Sequence, residues 1–356
     1  MYSLKLKCRL ITPMFMAGAD GRTPELRPSE FKGMIRWWWR AIKAEDDIEK
    51  LKTEEAKIFG GTGKGEGKSK VKIRILYNIA HDKVGRNLKD EYRLKRSFDK
   101  KIKTLDGKDA DIGYLLYSTI FRDFLKDGFG FEILLESFDE FAFNNTVASL
   151  WAAIYLGGFG TRARRGGGNI AIESAEPHNI EGINFYCNAK NVDELCDWLK
   201  KELKTVKRLL PANTSNSKYT IIKNGTILLF EPRNAWQDAL NFIGEKYKNF
   251  RKDKRTEIFK TPAFGMPVMH HHFRMIPYKN AKERLSKRWA YPVIFKVIKG
   301  HNNTYFPLII FLNPGGVNLI GKENKINKGR NNTEKFESSI LKDFKTTLSA
   351  TKEVML

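Results

Sequence analysis

A stretch rich in glycine and arginine at residues 157–168 carries residue types well suited to hold phosphate. It reads Gly-Gly-Phe-Gly-Thr-Arg-Ala-Arg-Arg-Gly-Gly-Gly and places Arg162, Arg164 and Arg165 within four positions. Arginine offers a planar, permanently charged fork of donors that matches phosphate oxygens. Glycine lets main-chain N–H groups approach a ligand closely, so Gly158 and Gly160 are predicted to line the same site. We call this stretch the Gly/Arg loop and predict that it grips a phosphate backbone.

A second basic surface is predicted on a helix over residues 28–44, which begins at a proline. Residues three or four positions apart share a helix face. One face is apolar, and another carries only cations: Lys32, Arg36, Arg40 and Lys43. At about 1.5 Å of rise per residue these cations span roughly 16 Å, a length that meets several phosphates. No acidic residue lies between Lys32 and Lys43, so pairing within the helix does not explain them, although a plain solvated face remains the alternative.

Aromatic residues beside these cations are candidates for stacking on a base. Trp37, Trp38 and Trp39 are consecutive and cannot all point into one core. We predict that Trp37 lies off the apolar stripe, and that Phe15 and Phe159 are further stacking groups. Arg27, directly before the helix, is predicted to join the basic surface.

The elements that must position these residues predict an α+β fold. Alternating strands are predicted at 4–11, 71–77, 129–137 and 169–174, with helices at 28–44, 114–125 and 144–156. Without the insertions, the order is β-α-β-β-α-β, the ferredoxin-like arrangement. We predict one such domain at 1–180 and a more degenerate copy at 181–356. The second copy has strands near 292–298 and 305–312 and a last helix at 334–348.

The charge of the chain favours a polyanionic partner. Lys and Arg number 64 against 41 Asp and Glu, for a formal net charge of +23 and a pI near 9.7. Such an excess speeds encounters with polyanions but does not separate RNA from DNA, an anionic membrane or an acidic protein. No apolar run approaches the roughly 20 residues that span a bilayer, and no signal peptide is visible, so we expect no membrane partner and a cytoplasmic protein.

Two nucleotide-binding motifs compete with this interpretation. A dinucleotide fingerprint needs a strand before its glycines and a helix after them, and the Gly/Arg loop has the reverse order. Residues 61–69 end in Gly-Lys-Ser like a P-loop, but Thr62 stands where the first glycine is required. A strand also follows where a helix should begin, so we predict a flexible loop at 60–67.

Catalysis is the main rival to simple binding, because RNA cleavage needs histidines or equivalent groups at the scissile phosphate. None of the 6 histidines falls in the Gly/Arg loop or at residues 12–20. His270 and His272 could share a strand face and bind a metal, but nearby acidic or cysteine ligands are lacking. Asp20 could reach a 2′-hydroxyl or order its own loop. We therefore expect no enzyme activity, no metal and no cofactor.

Short motifs in a fixed order resemble one protein family. Thr-Pro-Met-Phe-Met-Ala-Gly-Ala at 12–19 precedes Glu-Leu-Arg-Pro-Ser-Glu-Phe-Lys-Gly at 25–33, Arg-Trp-Trp-Trp-Arg at 36–40 and Ile-Phe-Gly at 58–60. With the Gly/Arg loop, they resemble the RAMP proteins of CRISPR systems. Among RAMP proteins, the chain is similar to the largest RAMP subunit of the type III-B (Cmr) RNA-guided effector complex. Phe-Gly-Met-Pro at 264–267 and Arg288 before a strand are weaker similarities in the second half.

The resemblance implies ferredoxin-like, RRM-like domains with a glycine-rich loop near the end of a domain, in a complex of antiviral defence. It implies single-stranded RNA (guide crRNA, target RNA or both) and other RAMP subunits as partners. It also implies that a different subunit cuts the target. In such complexes base pairing reads the sequence while protein reads the backbone.

We therefore predict a non-catalytic RNA-binding subunit that aids target capture. The alternatives are a metal-independent RAMP endoribonuclease that processes guide RNA and a structural adaptor for an acidic partner subunit. The predicted RNA-binding residues are Arg27, Lys32, Arg36, Arg40, Gly158, Gly160, Arg162, Arg164, Arg165 and Arg288, with Phe15, Trp37 and Phe159 as stacking groups.

Overall fold

A computed structural model of the chain has a mixed α/β architecture built on antiparallel sheets. It describes residues 1–63, 65–92, 95–96, 102–103, 111–119, 121–214, 217, 219–254, 260–265, 268–270, 273–278, 291–315, 320–325, 333–335 and 339–356. None of the helices in these ranges is long and apolar enough to span a membrane.

The first half opens with four elements: β1 (Tyr2–Leu10), α1 (Pro28–Lys43), α2 (Ile48–Phe59) and β2 (Val71–Leu76). An inserted region follows, with β3 (Val84–Gly85), α3 (Leu88–Glu91), β4 (Lys95–Arg96), β5 (Ile102–Lys103), α4 (Asp111–Leu115) and β6 (Phe124–Leu125). The half closes with β7 (Gly130–Ser137), α5 (Glu140–Tyr155) and β8 (Ile170–Glu176).

The main sheet of this half is antiparallel, in the order β2-β7-β1-β8. Leu4, Leu6, Cys8 and Leu10 alternate along β1 and are buried, because every second side chain of a strand points to the same face. Helices α1 and α5 cover that face. The elements β1, α1, β2, β7, α5 and β8 follow the order β-α-β-β-α-β that the sequence predicts.

The second half contains β9 (Asn179–Ile180), β10 (Ile183–Asn184), α6 (Val192–Leu209), β11 (Ile221–Leu229), α7 (Trp236–Asp253), β12 (Val268–His270) and β13 (Phe273–Tyr278). It continues with β14 (Val293–Lys299), β15 (Tyr305–Asn313), β16 (Ile320–Lys325), β17 (Thr333–Lys335), α8 (Ser339–Thr346) and β18 (Lys352–Met355). A second antiparallel sheet has the order β14-β15-β11-β18. The hairpin predicted near 292–312 is β14 and β15 and is confirmed.

The second sheet is covered on both faces, and one of these faces packs against helices of the first half. Residues along β14 and β15 are buried almost without interruption, the pattern of a strand enclosed on both sides. One face packs into the core that contains α1, α5 and α6, and the other packs against α7 and α8. Helix α5 is buried nearly all round because α1, α6 and the first sheet pack against it.

Two predicted helices are wrong in type or extent. The predicted helix at 114–125 is instead the short α4, a 3-10 turn at Tyr117–Thr119 and strand β6. Leu125 is not helical, because its main-chain N–H and carbonyl both form hydrogen bonds of 3.0 Å with the main chain of Met14. The last helix begins at Ser339 rather than near 334, where strand β17 lies. The predicted domain boundary near 181 stays a prediction.

Candidate nucleic-acid interface

The Gly/Arg loop is held by main-chain hydrogen bonds to the loop that follows β1. We call residues 12–20 the motif loop. Thr161 N–H donates to the carbonyl of Phe15 at 2.8 Å, and Gly168 N–H donates to the carbonyl of Pro13 at 2.8 Å. These bonds satisfy main-chain groups inside the protein, so the two loops form one unit.

Glycine is required here by packing against the protein itself. A Cβ on Gly160 would lie 2.8 Å from the Phe15 oxygen, and a Cβ on Gly158 would lie 2.9 Å from the Gly167 oxygen. A Cβ on Gly168 would collide with the Phe159 oxygen. This close packing explains why residues 158 and 160 are glycines, and the predicted contact of Gly158 and Gly160 with RNA stays a prediction. In both glycines, the position that a Cβ would occupy lies against other main-chain atoms. Gly160 also has a φ of +81°, which favours glycine.

A buried lysine from the second half, Lys296 on β14, supports both ends of the Gly/Arg loop. Its Nζ donates to the carbonyl of Gly157 at 2.7 Å and to Oδ1 of Asn169 at 2.8 Å, and the residue is 1% exposed. Burial lowers the pKa of Lys296 to about 7, because the apolar surroundings disfavour the charged ammonium. The sequence-based prediction missed this residue.

Arg165 points into the protein. Its guanidinium lies over three rings, with its carbon 4.4 Å from the centre of Tyr247, 4.1 Å from Tyr291 and 5.2 Å from Phe295. Nη2 donates to the Tyr247 hydroxyl at 2.9 Å, and the residue is 6% exposed. The prediction of an RNA contact is corrected for Arg165. The side chain joins the Gly/Arg loop to α7 and the second sheet.

The other two arginines of the loop are half-buried, and each contacts another part of the protein. Arg164 stacks over Trp37 at 4.2 Å and donates to the Tyr291 carbonyl. This contact covers one face of the predicted stacking group Trp37. Arg162 has a φ of +65° and its Nε donates to Ser118 Oγ at 2.7 Å, which ties the loop to the Tyr117–Thr119 turn.

Two predicted stacking rings are core residues. Phe15 is 3% exposed and packs on Phe124 with ring centres 5.4 Å apart. Phe159 is fully buried and stacks on Phe31 at 4.4 Å. Neither ring offers a face to a base, so both predictions are corrected. Arg288 lies outside the described residues, as does His272.

The cationic face of α1 is paired with α2. Arg40 Nη1 donates to both carboxylate oxygens of Glu55, at 2.8 and 2.9 Å, and Arg36 Nε donates to the same carboxylate. Lys43 forms an ion pair of 3.2 Å with Glu54. Arg36 and Arg40 therefore already share a carboxylate inside the protein, and their predicted contact with RNA stays a prediction. Lys32 has no ion pair with any described residue, and burial lowers its pKa.

We expect Glu55→Gln to lower the free energy of unfolding by about 2 kcal/mol, because two arginines lose a charged acceptor that is itself buried. RNA affinity should stay within about twofold if this face is structural. Urea denaturation and RNA titration check both parts. Glu49→Gln is the matched control, since the Glu49–Lys52 pair is exposed and should contribute less than about 0.5 kcal/mol. Equal losses in the two variants would contradict the prediction.

An open cleft of about 590 Å³ lies against both loops. Its lining includes Arg22, Arg27 and Arg122, together with the carboxylates of Glu30 and Asp123. Arg27 is the predicted RNA-binding residue that the structure places here. Arg22 belongs to the loop before α1, and Arg122 belongs to the inserted region, so residues distant in sequence supply the cations.

Exposed aromatic rings accompany these cations. Phe121 lines the cleft and is 63% exposed, while Tyr117 is 53% exposed in the turn that Arg162 contacts. Exposed rings beside arginines can stack bases while the cations hold phosphates. The prediction missed both rings because it assigned this segment to a helix; the Tyr-Ser-Thr before Phe121 was the available signal of a turn.

Asp20 orders the loop that forms one wall of the cleft. Its Oδ1 accepts the N–H groups of Arg22 at 2.9 Å and Thr23 at 3.0 Å, and its Oδ2 accepts a bond from the Thr23 hydroxyl. The hydroxyl and the two N–H groups lower the pKa of Asp20. Of the two roles considered for Asp20, loop ordering accounts for these bonds.

A second crevice, of about 400 Å³, lies between the two halves and includes Arg9 and Lys299. Its acidic groups already have partners: Glu173 accepts a bond from Arg9 Nε, and Asp127 Oδ2 accepts one from Trp236 Nε1 at 3.0 Å. Two carboxylates balance the two cations, so this crevice is less suited to phosphate than the cleft beside the loops.

Comparison with known proteins assigns the family. The model of the RAMP superfamily matches residues 7–171. The curated protein "CRISPR system Cmr subunit Cmr1-2" of Pyrococcus furiosus is 35% identical over 191 residues, which cover 49% of this chain and 96% of that protein. The chain belongs to the RAMP superfamily. This RAMP protein is also 27% identical to "CRISPR system Cmr subunit Cmr1-1" of the same organism over 306 residues, 80% of this chain and 82% of the relative.

Solved structures show that the similarity extends through both halves of this RAMP protein. The apo crystal structure of Cmr1 from Pyrococcus furiosus matches with a TM-score of 0.66 at 23% identity, covering 99% of this chain and 98% of that one. A chain of the type III-B Cmr-beta complex bound to cognate target RNA matches with a TM-score of 0.57 at 11% identity, covering 96% and 98%. At these identities the matches show a shared fold.

Proposed function

We propose that the chain is a non-catalytic RNA-binding subunit of a type III-B CRISPR RNA-guided effector complex in the cytoplasm. Its curated relatives are named as Cmr subunits, and one similar chain comes from a Cmr complex bound to cognate target RNA. We further propose that both halves are copies of one ferredoxin-like unit, because each sheet is antiparallel with two central strands and both halves follow similar strand orders.

The observation that carries the RNA-binding proposal is the cleft beside the Gly/Arg loop. Three arginines and the exposed ring of Phe121 meet there, which combines contacts to phosphate with stacking of bases. Neither contact depends on base identity. The proposed site would therefore hold guide or target RNA of any sequence, as an RNA-guided complex requires.

The outer face of the first sheet is a poorer RNA surface. RRM domains stack bases on aromatic residues of this face. Here the face carries cross-strand ion pairs, such as Lys5–Glu132 at 3.0 Å and Arg74–Glu136 at 2.7 Å. Because those cations already meet carboxylates, we propose the loop cleft rather than the sheet face as the path of the RNA.

We propose no role in cutting. RNA cleavage by acid–base chemistry needs a donor and an acceptor of protons poised at the phosphate. Among the described residues that line the cleft, the titratable groups are arginines and the carboxylates of Glu30 and Asp123, without a histidine. An arrangement of this kind supports binding better than strand scission.

Binding of labelled single-stranded RNA across a salt series tests the proposal. Changing both Arg27 and Arg122 to Ala should weaken binding and reduce the salt slope by about 1.4, or about 0.7 for each lost phosphate contact. Changing both Tyr117 and Phe121 to Ala should weaken binding at least about tenfold at unchanged slope, because stacking is not ionic.

Two comparisons make this assay decisive. Lys52→Ala with Lys200→Ala removes two exposed cations from α2 and α6, away from the cleft, and should leave the affinity nearly unchanged. Cleaved RNA in the wild-type reaction would favour the endoribonuclease alternative. A folded wild-type protein that ignores RNA at low salt would refute RNA binding and favour the adaptor alternative.

A further inference from the structure

Two phenylalanines project from the end of the first half opposite the cleft. Phe138 is 85% exposed and Phe141 is 66% exposed. They lie where β7 ends and α5 begins, whereas the Gly/Arg loop follows the other end of α5. Since α5 has 16 residues, about 24 Å of helix separates the two ends. We call Phe138 and Phe141 the aromatic pair.

Side-chain hydrogen bonds and an ion pair hold the turn that carries the aromatic pair. Ser137 Oγ donates to the carbonyl of Lys70 at 2.8 Å and accepts the Asp139 N–H at 3.0 Å. Asp139 Oδ1 caps α5 by accepting the Ala142 N–H at 2.8 Å, and its Oδ2 forms an ion pair of 2.6 Å with Lys70. A turn that is already ordered loses less main-chain entropy when a partner covers it, which favours its exposed aromatic residues as interface anchors.

The surroundings of the aromatic pair are acidic, in a chain whose net charge is +23. The Tyr2 hydroxyl donates to Glu140 Oε2 at 2.9 Å. Glu140, together with the nearby Glu181 and Asp139, raises the pKa of Tyr2. Asp139 is already paired with Lys70, but the carboxylates of Glu140 and Glu181 repel phosphate, so this end suits RNA less well than the cleft does.

We propose that Phe138 and Phe141 anchor a neighbouring protein subunit of the effector complex, one that offers an apolar pocket rimmed by lysine or arginine. The inference rests on the proposed function, because it takes the chain to be one subunit of that assembly. Glu140 and Glu181 would meet the basic rim, while the rings fill the pocket.

A second copy of this chain fits the patch less well. A two-fold dimer brings the same patch of both copies together. Glu140 and Glu181 of one copy would then lie close to the same carboxylates of the other copy, and the repulsion between like charges would destabilise the dimer. Charge complementarity therefore favours a different, basic subunit.

Reconstitution with the other purified Cmr subunits of the same organism tests this assignment. Changing both Phe138 and Phe141 to Ala should weaken incorporation into the complex at least tenfold, as measured by titration and size-exclusion chromatography. The free variant should bind RNA like the wild type and melt at a similar temperature, because both rings are exposed. The matched control is the variant with Tyr117 and Phe121 changed to Ala, which should lose RNA affinity and still assemble.

Charge reversal supplies an independent readout. Glu140→Lys should weaken incorporation and leave the RNA affinity of the free subunit unchanged. Assembly of both variants at wild-type affinity would overturn the aromatic-pair proposal even if the cleft variants confirm RNA binding. Tighter RNA binding by Glu140→Lys would also overturn it, since RNA would then run over this end. Concentration-dependent dimers of the free wild type that the Phe138 and Phe141 changes abolish would assign the patch to a second copy instead.

Discussion

Replacement of Arg165 by alanine is expected to lower the free energy of unfolding by about 3 kcal/mol, as large-to-small changes in a packed interior do. The side chain fills the space between Tyr247, Tyr291 and Phe295 and is 6% exposed. Truncation leaves a cavity where the Gly/Arg loop meets the second half, and it removes the donor to the Tyr247 hydroxyl. Urea denaturation followed by fluorescence and circular dichroism measures the loss.

Arg165→Met separates packing from charge. Methionine keeps most of the volume, and it removes a guanidinium whose Nη1 is buried without a hydrogen-bond partner among the described residues. We therefore expect it to cost less than about 1.5 kcal/mol. It should leave the salt slope for RNA unchanged, while Arg122→Met in the cleft should lower that slope by about 0.7 at unchanged stability. A lower slope in Arg165→Met would restore Arg165 as an RNA contact.

The Gly/Arg loop shows what composition predicts and what it leaves open. The position of the loop after a helix and before a strand is as the sequence predicts, and α5 and β8 flank it. Composition does not distinguish an arginine that meets phosphate from one that meets tyrosine rings. Tyr247 lies 82 residues after Arg165 in the sequence, and Tyr291 lies farther still. Only the folded chain brings these rings to the arginine.

The cations of α1 show the limit of reasoning within one helix. The helix and its apolar stripe are as predicted, with Phe31, Ile35 and Trp38 buried. No acidic residue lies between Lys32 and Lys43 in α1, as the sequence shows, but α2 turns back and supplies Glu54 and Glu55. The i,i+4 spacing within α1 gives no information about carboxylates that a different helix supplies.

Residues of the proposed cleft come from three separate segments, which explains why the sequence indicates so few of them. Arg27 was predicted, whereas Arg22, Arg122 and Phe121 were not. The inserted region reaches the motif loop through two main-chain hydrogen bonds between Leu125 and Met14. A local turn signal does not reveal such long-range pairing, which brings the three segments together to form the surface of the cleft.

The stability contributed by Lys296 is expected to rise with pH above neutrality. Its folded-state pKa is about 7, while an unfolded lysine titrates near 10.4. Between these values the unfolded chain binds more protons than the folded one, so raising the pH favours folding. The difference in unfolding free energy between wild type and Lys296→Met should therefore rise with pH from pH 7 to pH 9, with a slope that grows from about 0.7 toward about 1.4 kcal/mol per pH unit. Denaturation at fixed ionic strength measures it.

A neutral amine suits the site, since its two N–H donors match the two acceptors, Gly157 O and Asn169 Oδ1. Asn169→Asp should reverse the preference, because a carboxylate beside Lys296 stabilises the ammonium and raises its pKa. In the Asn169→Asp background, the change in unfolding free energy caused by Lys296→Met should therefore be nearly independent of pH from pH 7 to pH 9. If this change in unfolding free energy is also independent of pH in the wild-type background, Lys296 stays charged in the folded protein. The Gly/Arg loop would then rest on an ammonium, and the buried charge rather than the neutral amine would set its position.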